Sequence, residues 1–358
     1  MKCDVLIIGA GLAGSTCGFL LATAKQNVLA VDCADLVTKE KLCGGMLTGR
    51  SLDAMDRIFG LESRTLYRET FTTMKAIDTR VRRGSQIAQL DAHMSIVRRK
   101  DLDDYALCHF LDAGGMVADR STLDEIDPVA HVAHVQTPTG PLDIEYRSLV
   151  VADGANSPTR KLLSRHDANL KPKPDIALVP SIEALVEPTG DDATGWYVPS
   201  MGGYCWYFPC GEWANIGAGG TKASAGQLRN ALDEFMGMMG ISERGELRGA
   251  FIPSGGSCLI RSRDAFFLGD AAGLACPATG EGIFYALQSA ETLASCLVNG
   301  GSYKRAMAPH LRTLRIQFAL SKPLLNDNVT RVGLRVAETL RIDPARIPRA
   351  ALKFAASY

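Results

Sequence analysis

The sequence has no excess of charge of either sign. Its 358 residues include 39 basic and 39 acidic side chains, so the formal net charge is zero. Proteins that bind nucleic acid or an anionic surface through their overall charge carry a basic excess. The balance therefore argues against a nucleic-acid partner and favours a small or apolar one.

The cysteines form no recognisable metal site or redox pair. The chain contains ten of them, but none is spaced as CxxC and none clusters with histidine as in a zinc site. Scattered, reduced thiols are typical of cytoplasmic proteins. We therefore expect a cytoplasmic protein without a structural metal.

Long apolar runs are scarce as well. Residues 4–24 resemble a signal or membrane segment in hydrophobicity, but glycines interrupt them at fixed spacing. We interpret this run as buried structure, because a membrane helix needs about 20 consecutive apolar residues. Any membrane contact is therefore expected to be peripheral, at the inner face of the membrane.

The beginning of the chain predicts a βαβ unit. The segment DVLIIGAGLAGSTCGFLLATAKQNVLAVD combines an apolar strand, a glycine-rich turn, a helix and a second strand. Gly9, Gly11 and Gly14 form GxGxxG at the turn, and Asp32 ends the second strand. Such glycines let a pyrophosphate approach the helix N-terminus, and such an acid accepts a hydrogen bond from a ribose hydroxyl. The unit predicts dinucleotide binding without distinguishing FAD from NAD.

A second glycine-rich turn favours FAD. Residues 266–287, FFLGDAAGLACPATGEGIFYAL, predict a strand, a turn at Gly269 and Asp270, and a helix. Asp270 can meet a polyol chain there, while backbone N–H groups near Gly282 and Ile283 suit an anion. A reduced flavin carries such an anion on its ring.

These motifs together resemble those of a known group of flavoenzymes. GAGLAG with Asp32, VADGA with Asp153 and LGDAAG with Asp270 are similar to the motifs of FAD-dependent oxidoreductases that share the para-hydroxybenzoate hydroxylase fold. Within that group, the stretches KLCGG, VRRKDLD and GYCWYFPCGEWANIGAGG resemble geranylgeranyl reductases, the last through their YxWxFP signature. The chain is thus identified as a member of the geranylgeranyl reductase family, of a short bacterial type.

The resemblance implies a set of cofactor and substrate contacts. Carried over by position, the residues against FAD are Ala13, Gly14, Asp32, Cys43, Gly44, Arg99, Asp270, Gly282 and Ile283. Arg99 would reach a phosphate or the adenosine side. Tyr204 and Trp206 would face the substrate cavity, although aromatic side chains at alternate strand positions also suit a sheet core.

Cys43, Tyr204 and Trp206 are the candidate catalytic residues. Gly44 and Gly45 would leave room for a planar ring, with Cys43 small enough to lie beside it. The Cys43 thiol is then either a proton donor or only a neighbour of the flavin.

Two further features remain open from the residues alone. Glu281 stands where the family often has glycine, and it is either a favourable first-turn acid or an inward carboxylate beside the flavin. Arg50, Arg261 and Arg263 are cations for a diphosphate or phospholipid head, or else solvated surface residues.

The predicted fold is α/β: a Rossmann-like FAD-binding domain, an inserted antiparallel β-sheet substrate domain and C-terminal helices. The expected ranges are 1–65, 95–171 and 255–300 for the FAD-binding domain, 66–94 and 172–254 for the substrate domain, and 301–358 for the helical segment.

The resemblance implies hydride transfer from reduced FAD to a carbon–carbon double bond of an isoprenoid or other apolar small molecule or lipid. The sequence contains no second GxGxxG, so transient NAD(P)H, ferredoxin or another electron-donor protein all remain open as donors. Two alternatives share these motifs: an FAD-dependent monooxygenase or hydroxylase, and a non-catalytic flavin-binding resistance or sensor protein.

Overall fold

Two β-sheets organise the part of the chain that the structure describes. The computed structural model describes residues 1–66, 69–78, 86–167, 176–255, 258–262 and 265–324. The strands are β1 (Lys2–Ile8), β2 (Val28–Val31), β3 (Met46–Thr48), β4 (Glu69–Asp78), β5 (Gln86–Ile96), β6 (Met116–Ala118), β7 (Thr122–Asp127), β8 (Val132–Thr137), β9 (Gly140–Val151), β10 (Ile176–Val186), β11 (Ala193–Val198), β12 (Gly203–Cys210), β13 (Trp213–Gly220), β14 (Arg248–Gly255), β15 (Arg261–Ser262) and β16 (Ala265–Phe267). The helices are α1 (Leu12–Thr23), α2 (Gly49–Phe59), α3 (Arg99–Asp112), α4 (Pro158–Leu163), α5 (Ala225–Met239), α6 (Ile283–Asn299), α7 (Tyr303–Ala306) and α8 (Ala308–Leu324).

The first sheet has the parallel centre of a Rossmann-like fold. Its strand order is β15-β16-β9-β1-β2-β6, with β8 joined to β9 and β7 to β8. Strand β1 pairs in parallel with β2 and β9, and β16 pairs in parallel with β9. Residues 5–8 of β1 are all buried, as expected for a strand covered on both faces. The predicted α/β class with a Rossmann-like domain is confirmed.

The carboxyl ends of the parallel strands gather the motif residues at one edge. Gly9 follows β1, Asp32 follows β2, Asp153 follows β9, and Asp270 follows β16. Ligands of open α/β sheets bind outside the carboxyl ends of the strands. The topology therefore places the glycine turn and the three acids on the side of the sheet where a dinucleotide binds.

The second sheet packs one face against α5. Its order is β14-β10-β13-β12-β11-β4-β5-β3. Helix α5 begins with a capping box between Ser224 and Gln227 and ends at Gly240, whose φ is 71°. Trp196 of β11 stacks on Phe235 of α5, with ring centroids 5.8 Å apart. This packing forms the core of the second sheet.

The pairing in the second sheet differs from the prediction in one respect. Most pairs are antiparallel, but β11 and β4 run parallel. These two strands come from distant segments, so no hairpin fixes their relative direction. Strand β3, which the expected ranges assign to the FAD-binding domain, pairs with β5 in this second sheet. The domain ranges stay a prediction.

Parts of the predicted ranges lie outside the described residues, namely 67–68, 79–85, 168–175, 256–257, 263–264 and 325–358. The C-terminal helical segment is described as α7 and α8 up to Leu324. Among the described residues, every helix is too short or too polar to cross a membrane.

Candidate functional site

The glycines of GxGxxG have different roles at the turn between β1 and α1. Gly9 has a φ of 102°, and a Cβ there would lie 2.5 Å from the carbonyl oxygen of Ala152. A Cβ on Gly14 would lie 1.9 Å from the Gly9 carbonyl oxygen. At Gly11, by contrast, a Cβ would meet no atom of the described residues within 4 Å. Gly9 and Gly14 therefore allow close backbone packing, while Gly11 leaves open space at the N-terminus of α1.

Asp32 lies buried beside that turn. Its Oδ2 accepts a hydrogen bond from the Ala10 N–H (2.7 Å), and its Oδ1 accepts one from the Ala34 N–H (3.0 Å). The Lys39 ammonium group also donates to Oδ2. The acid is thus held at the predicted place, and its contact with a ribose hydroxyl stays a prediction. Lys39 carries no motif signal and was not predicted.

The Asp270 turn lies between the N-termini of α1 and α6. Asp270 belongs to a short 3-10 helix, Gly269–Ala272. A Cβ on Gly282 would lie 3.2 Å from its Oδ1, and a Cβ on Gly269 would lie 3.4 Å from the Cβ of Ala13. The Lys41 Nζ lies 2.6 Å from Asp270 Oδ2. The two glycine-rich turns, far apart in sequence, therefore form one site.

The described residues fit FAD at this edge. Helix α1 starts after Gly11 and α6 starts at Ile283 after Gly282, and neither receives a side-chain cap. Uncapped helix N-termini leave backbone N–H groups for an anionic ligand. The open space at Gly11 and these N–H donors suit a pyrophosphate. The acids at the strand ends suit the hydroxyl groups of a sugar-like chain.

Arg160 holds two of the turns together, although the motifs give no sign of it. Its Nη2 donates to the Ala155 carbonyl oxygen (2.9 Å) and its Nη1 to that of Ala271 (3.3 Å). Asp153 lies nearby, and its Oδ2 accepts the Thr159 N–H at 2.9 Å. Burial raises the pKa of Asp153, although hydrogen bonds from Ser157 and Thr159 act in the opposite direction. Arg160 thereby ties the turn after β9 to the turn after β16.

The KLCGG loop lies on the aromatic strand β12. A Cβ on Gly44 would lie 2.8 Å from the ring of Phe208 and 3.1 Å from Trp206 Nε1. Gly45 has a φ of 75°, and a Cβ there would lie 2.0 Å from the Val97 carbonyl oxygen. These glycines are therefore required for contact with the protein's own rings and backbone. Their predicted contact with a flavin ring stays a prediction.

Arg99 lies beside Cys43 and is buried. Its Nη2 donates to Asp103 Oδ1 at 2.9 Å, one helical turn along α3. Burial alone would lower the pKa of Arg99, but Asp103 and then Cys43 raise it above its ordinary value. Arg99 thus stays charged next to the KLCGG loop, and its predicted contact with phosphate or adenosine stays a prediction.

Glu183 is a site residue that the sequence reasoning missed. It lies on β10, 7% exposed, and its Oε1 accepts a hydrogen bond from the Cys43 N–H at 2.9 Å. Burial raises the pKa of this carboxyl group, against hydrogen bonds from Cys43 and Asn215. A single charged residue within the mostly apolar strand IALVPSIEALV was the available signal.

Tyr204 and Trp206 line a pocket on the face of β12 opposite α5. The Tyr204 hydroxyl donates to the Thr279 carbonyl oxygen, and Trp206 Nε1 donates to Asn215 Oδ1 at 2.7 Å. Val179, Ile252, Cys276, Pro277 and Ala278 add apolar surface, with several glycines between them. In the described part of the chain, no charged side chain lines this pocket.

Glu281 is bound to Arg50 across the start of α6. Its carboxylate accepts hydrogen bonds from the Arg50 guanidinium and from the hydroxyls of Thr48 and Ser51. Glu281 therefore forms an ion pair with Arg50. The Arg50 charge is already neutralised by this carboxylate instead of facing a substrate head group. The Arg261 guanidinium lies 5.2 Å from the Phe266 ring centroid, and Arg263 lies outside the described residues.

Comparisons with known proteins identify the cofactor domain. A family model described as an FAD binding domain matches residues 2–170. The menaquinone reductase of Mycolicibacterium smegmatis is 28% identical over 84% of this chain and 77% of its own length. The geranylgeranyl diphosphate reductase of Rhodobacter capsulatus is 29% identical over 80% of this chain and 72% of its own.

Solved structures share the fold. A geranylgeranyl bacteriochlorophyll reductase-like protein of Thermoplasma acidophilum has a TM-score of 0.78 at 18% identity, over 90% of this chain and 88% of that one. A flavin-dependent brominase has a TM-score of 0.71 at 17% identity, over 97% of this chain and 94% of that one. At such identities the likeness establishes the fold and leaves the reaction open.

Proposed function

Because the chain belongs to the geranylgeranyl reductase family of FAD-dependent oxidoreductases, we propose that it reduces carbon–carbon double bonds of an isoprenoid or other apolar substrate. The observation that carries this proposal is the uncharged pocket of Tyr204 and Trp206 beside the KLCGG loop. Aromatic and aliphatic walls without a charge suit a prenyl chain. Among the described residues, these walls offer no charged partner for a hydrophilic substrate.

Reduction of an alkene requires a hydride at one carbon and a proton at the other. Reduced FAD supplies the hydride when it is bound. The pocket orients the alkene and excludes water, and an acid of the chain delivers the proton. Burial raises the pKa of Tyr204, and its hydroxyl already donates a hydrogen bond to the Thr279 carbonyl oxygen. Tyr204 is therefore assigned to the pocket lining and not to proton donation. Cys43 is the proposed proton donor.

The reaction is tested with the purified, FAD-loaded protein. It is reduced without oxygen, mixed with polyprenyl compounds, and the products are examined by mass spectrometry for the mass of two added hydrogens. Prenylated quinones and prenyl diphosphates are the first substrates, since similar proteins are named for reducing menaquinone and geranylgeranyl diphosphate. The uncharged pocket favours the quinones.

Each competing function gives a different result when the same protein is also assayed in the presence of oxygen. A hydroxylase would consume oxygen with NAD(P)H and an aromatic substrate, whereas a flavin-binding sensor would hold FAD and turn over nothing. Failure to reduce any prenyl diphosphate, prenyl lipid or quinone would remove the reductase proposal.

NAD(P)H or a ferredoxin-type protein is the proposed electron donor. Bleaching of the FAD absorbance after anaerobic mixing identifies the donor without any substrate. Cosedimentation with anionic lipid vesicles tests the proposed peripheral membrane contact.

Replacing Cys43 by alanine tests the proton donor. We expect the variant to keep FAD and to lose about a hundredfold or more in the rate of alkene reduction, because a positioned acid contributes at least that much. Cys33→Ala, at an exposed cysteine, is the matched control and should keep the wild-type rate. Unchanged turnover in Cys43→Ala would leave the thiol as a packing group.

A further inference from the structure

Glu183 lies in the row of residues that faces the KLCGG loop. On the second sheet, Glu183 of β10 pairs with Gly217 of β13, which in turn pairs with Trp206 of β12. Residues opposite each other in neighbouring strands point to the same face of a sheet. Because Gly217 has no side chain, only a glycine separates the carboxylate from the indole.

Glu183 and Asn215 lie between the loop and the pocket wall. The Cys43 N–H donates to Glu183 Oε1 (2.9 Å), and the Asn215 side chain lies close enough to Glu183 to lower the pKa of its carboxyl group. Asn215 Oδ1 in turn accepts from Trp206 Nε1 (2.7 Å). With its oxygen occupied by the indole, Asn215 offers its NH2 group to the carboxylate. An ionised carboxylate accepts at both oxygens, so Glu183 can satisfy both donors.

The contacts on either side of Cys43 involve other residues and do not bind the Cys43 backbone itself. Beyond the cysteine, the Val97 N–H donates a hydrogen bond of 2.9 Å to the Gly45 carbonyl oxygen. Before the cysteine, Glu40 accepts a hydrogen bond from Arg248 Nη1 at 2.9 Å. Arg248 of β14 lies opposite Glu183 of β10 in the register of these two strands. The Cys43 backbone itself is held to the sheet through Glu183. The glutamate is 7% exposed, so this bond is shielded from water.

We infer that Glu183 is a positioning residue, which sets the place of Cys43 relative to Trp206 through the Cys43 N–H. The assignment names no chemical step for Glu183. What Cys43 does once it is held rests on the proposed function, whereas its position can be measured without turnover.

The test measures how fast Cys43 reacts with N-ethylmaleimide in the full-length, FAD-loaded protein. Peptide mass spectrometry gives the labelling rate of Cys43 relative to the exposed Cys33 and Cys108 in the same sample. We expect Glu183→Ala to raise the relative rate about tenfold, in line with the loss of a buried hydrogen bond to a charged group. Glu183→Gln should fall between, because an amide has one acceptor oxygen for two donors.

The control weakens an ion pair that lies just before the loop. Glu40→Gln weakens a partly exposed ion pair and should change the relative labelling of Cys43 by less than about threefold. Wild-type relative labelling in both Glu183 variants would overturn the assignment. Equal acceleration at the buried Cys17 and Cys205 would also overturn it, since the whole fold would then have loosened.

The rate of alkene reduction is a second readout, and it is independent of the labelling rate of Cys43. Glu183→Ala should lower kcat in the wild-type background and have no further effect in Cys43→Ala, because both changes remove the same positioned group. If the protein reduces no alkene at all, the labelling result still tests the position of Cys43. Glu183→Gln carries the test should Glu183→Ala fail to fold.

Discussion

Gly14→Ala is expected to lose both stability and FAD binding, whereas Gly11→Ala is expected to lose FAD binding alone. The new methyl at position 14 would lie 1.9 Å from the Gly9 carbonyl oxygen, a backbone atom that cannot rotate away. Helix α1 would have to move from β1, at a cost of about 3 kcal/mol or more in the free energy of unfolding. FAD affinity would fall with the displaced turn.

At position 11 the same methyl enters open space. The φ of Gly11 is −80°, which alanine adopts freely. We therefore expect the free energy of unfolding of the FAD-free variant to lie within about 1 kcal/mol of the wild-type value. The methyl would stand where a pyrophosphate must approach, and FAD affinity should fall at least about tenfold.

Urea unfolding of the FAD-free proteins and quenching of FAD fluorescence measure these two effects separately. Wild-type FAD affinity in Gly11→Ala would show that the pyrophosphate does not bind at this turn. Wild-type stability in Gly14→Ala would contradict the close packing of α1 on β1.

Glu281→Gln is expected to destabilise the protein strongly. It would leave the Arg50 guanidinium, whose side chain is 21% exposed, without its carboxylate partner. Loss of one partner from a buried ion pair costs about 3–5 kcal/mol, because the remaining charge stays desolvated. Replacing both Arg50 and Glu281 by methionine should recover most of that loss, because no charge then remains buried.

A second ion pair, between α2 and α6, provides a matched control. Arg57 of α2 and Glu291 of α6 form this pair, with side chains 48% and 26% exposed. Glu291→Gln should cost no more than about 1 kcal/mol, because solvent screens the pair. Urea unfolding of the FAD-loaded variants gives the comparison. Equal costs at positions 281 and 291 would contradict the role of burial.

Local pattern was enough to predict the cofactor turns. The apolar run of β1, the glycine spacing and Asp32 all lie within one βαβ unit, whose geometry depends on neighbouring residues. The Asp270 turn was predicted for the same reason. Strand alternation likewise placed Tyr204 and Trp206 on one face, but left open whether that face was core or cavity.

The tertiary structure alone decided which side chains complete the site. The Cys43–Glu183 bond joins residues 140 positions apart, Arg50 and Glu281 are 231 apart, and Lys41 and Asp270 are 229 apart. No periodicity links such positions, because their contact depends on how two sheets and their helices are placed against each other. The sequence by itself determined the FAD-binding fold and its turns. Packing between distant segments determined that Gly44 lies on the protein's own aromatic rings, that Glu281 binds Arg50, and that Glu183 holds Cys43.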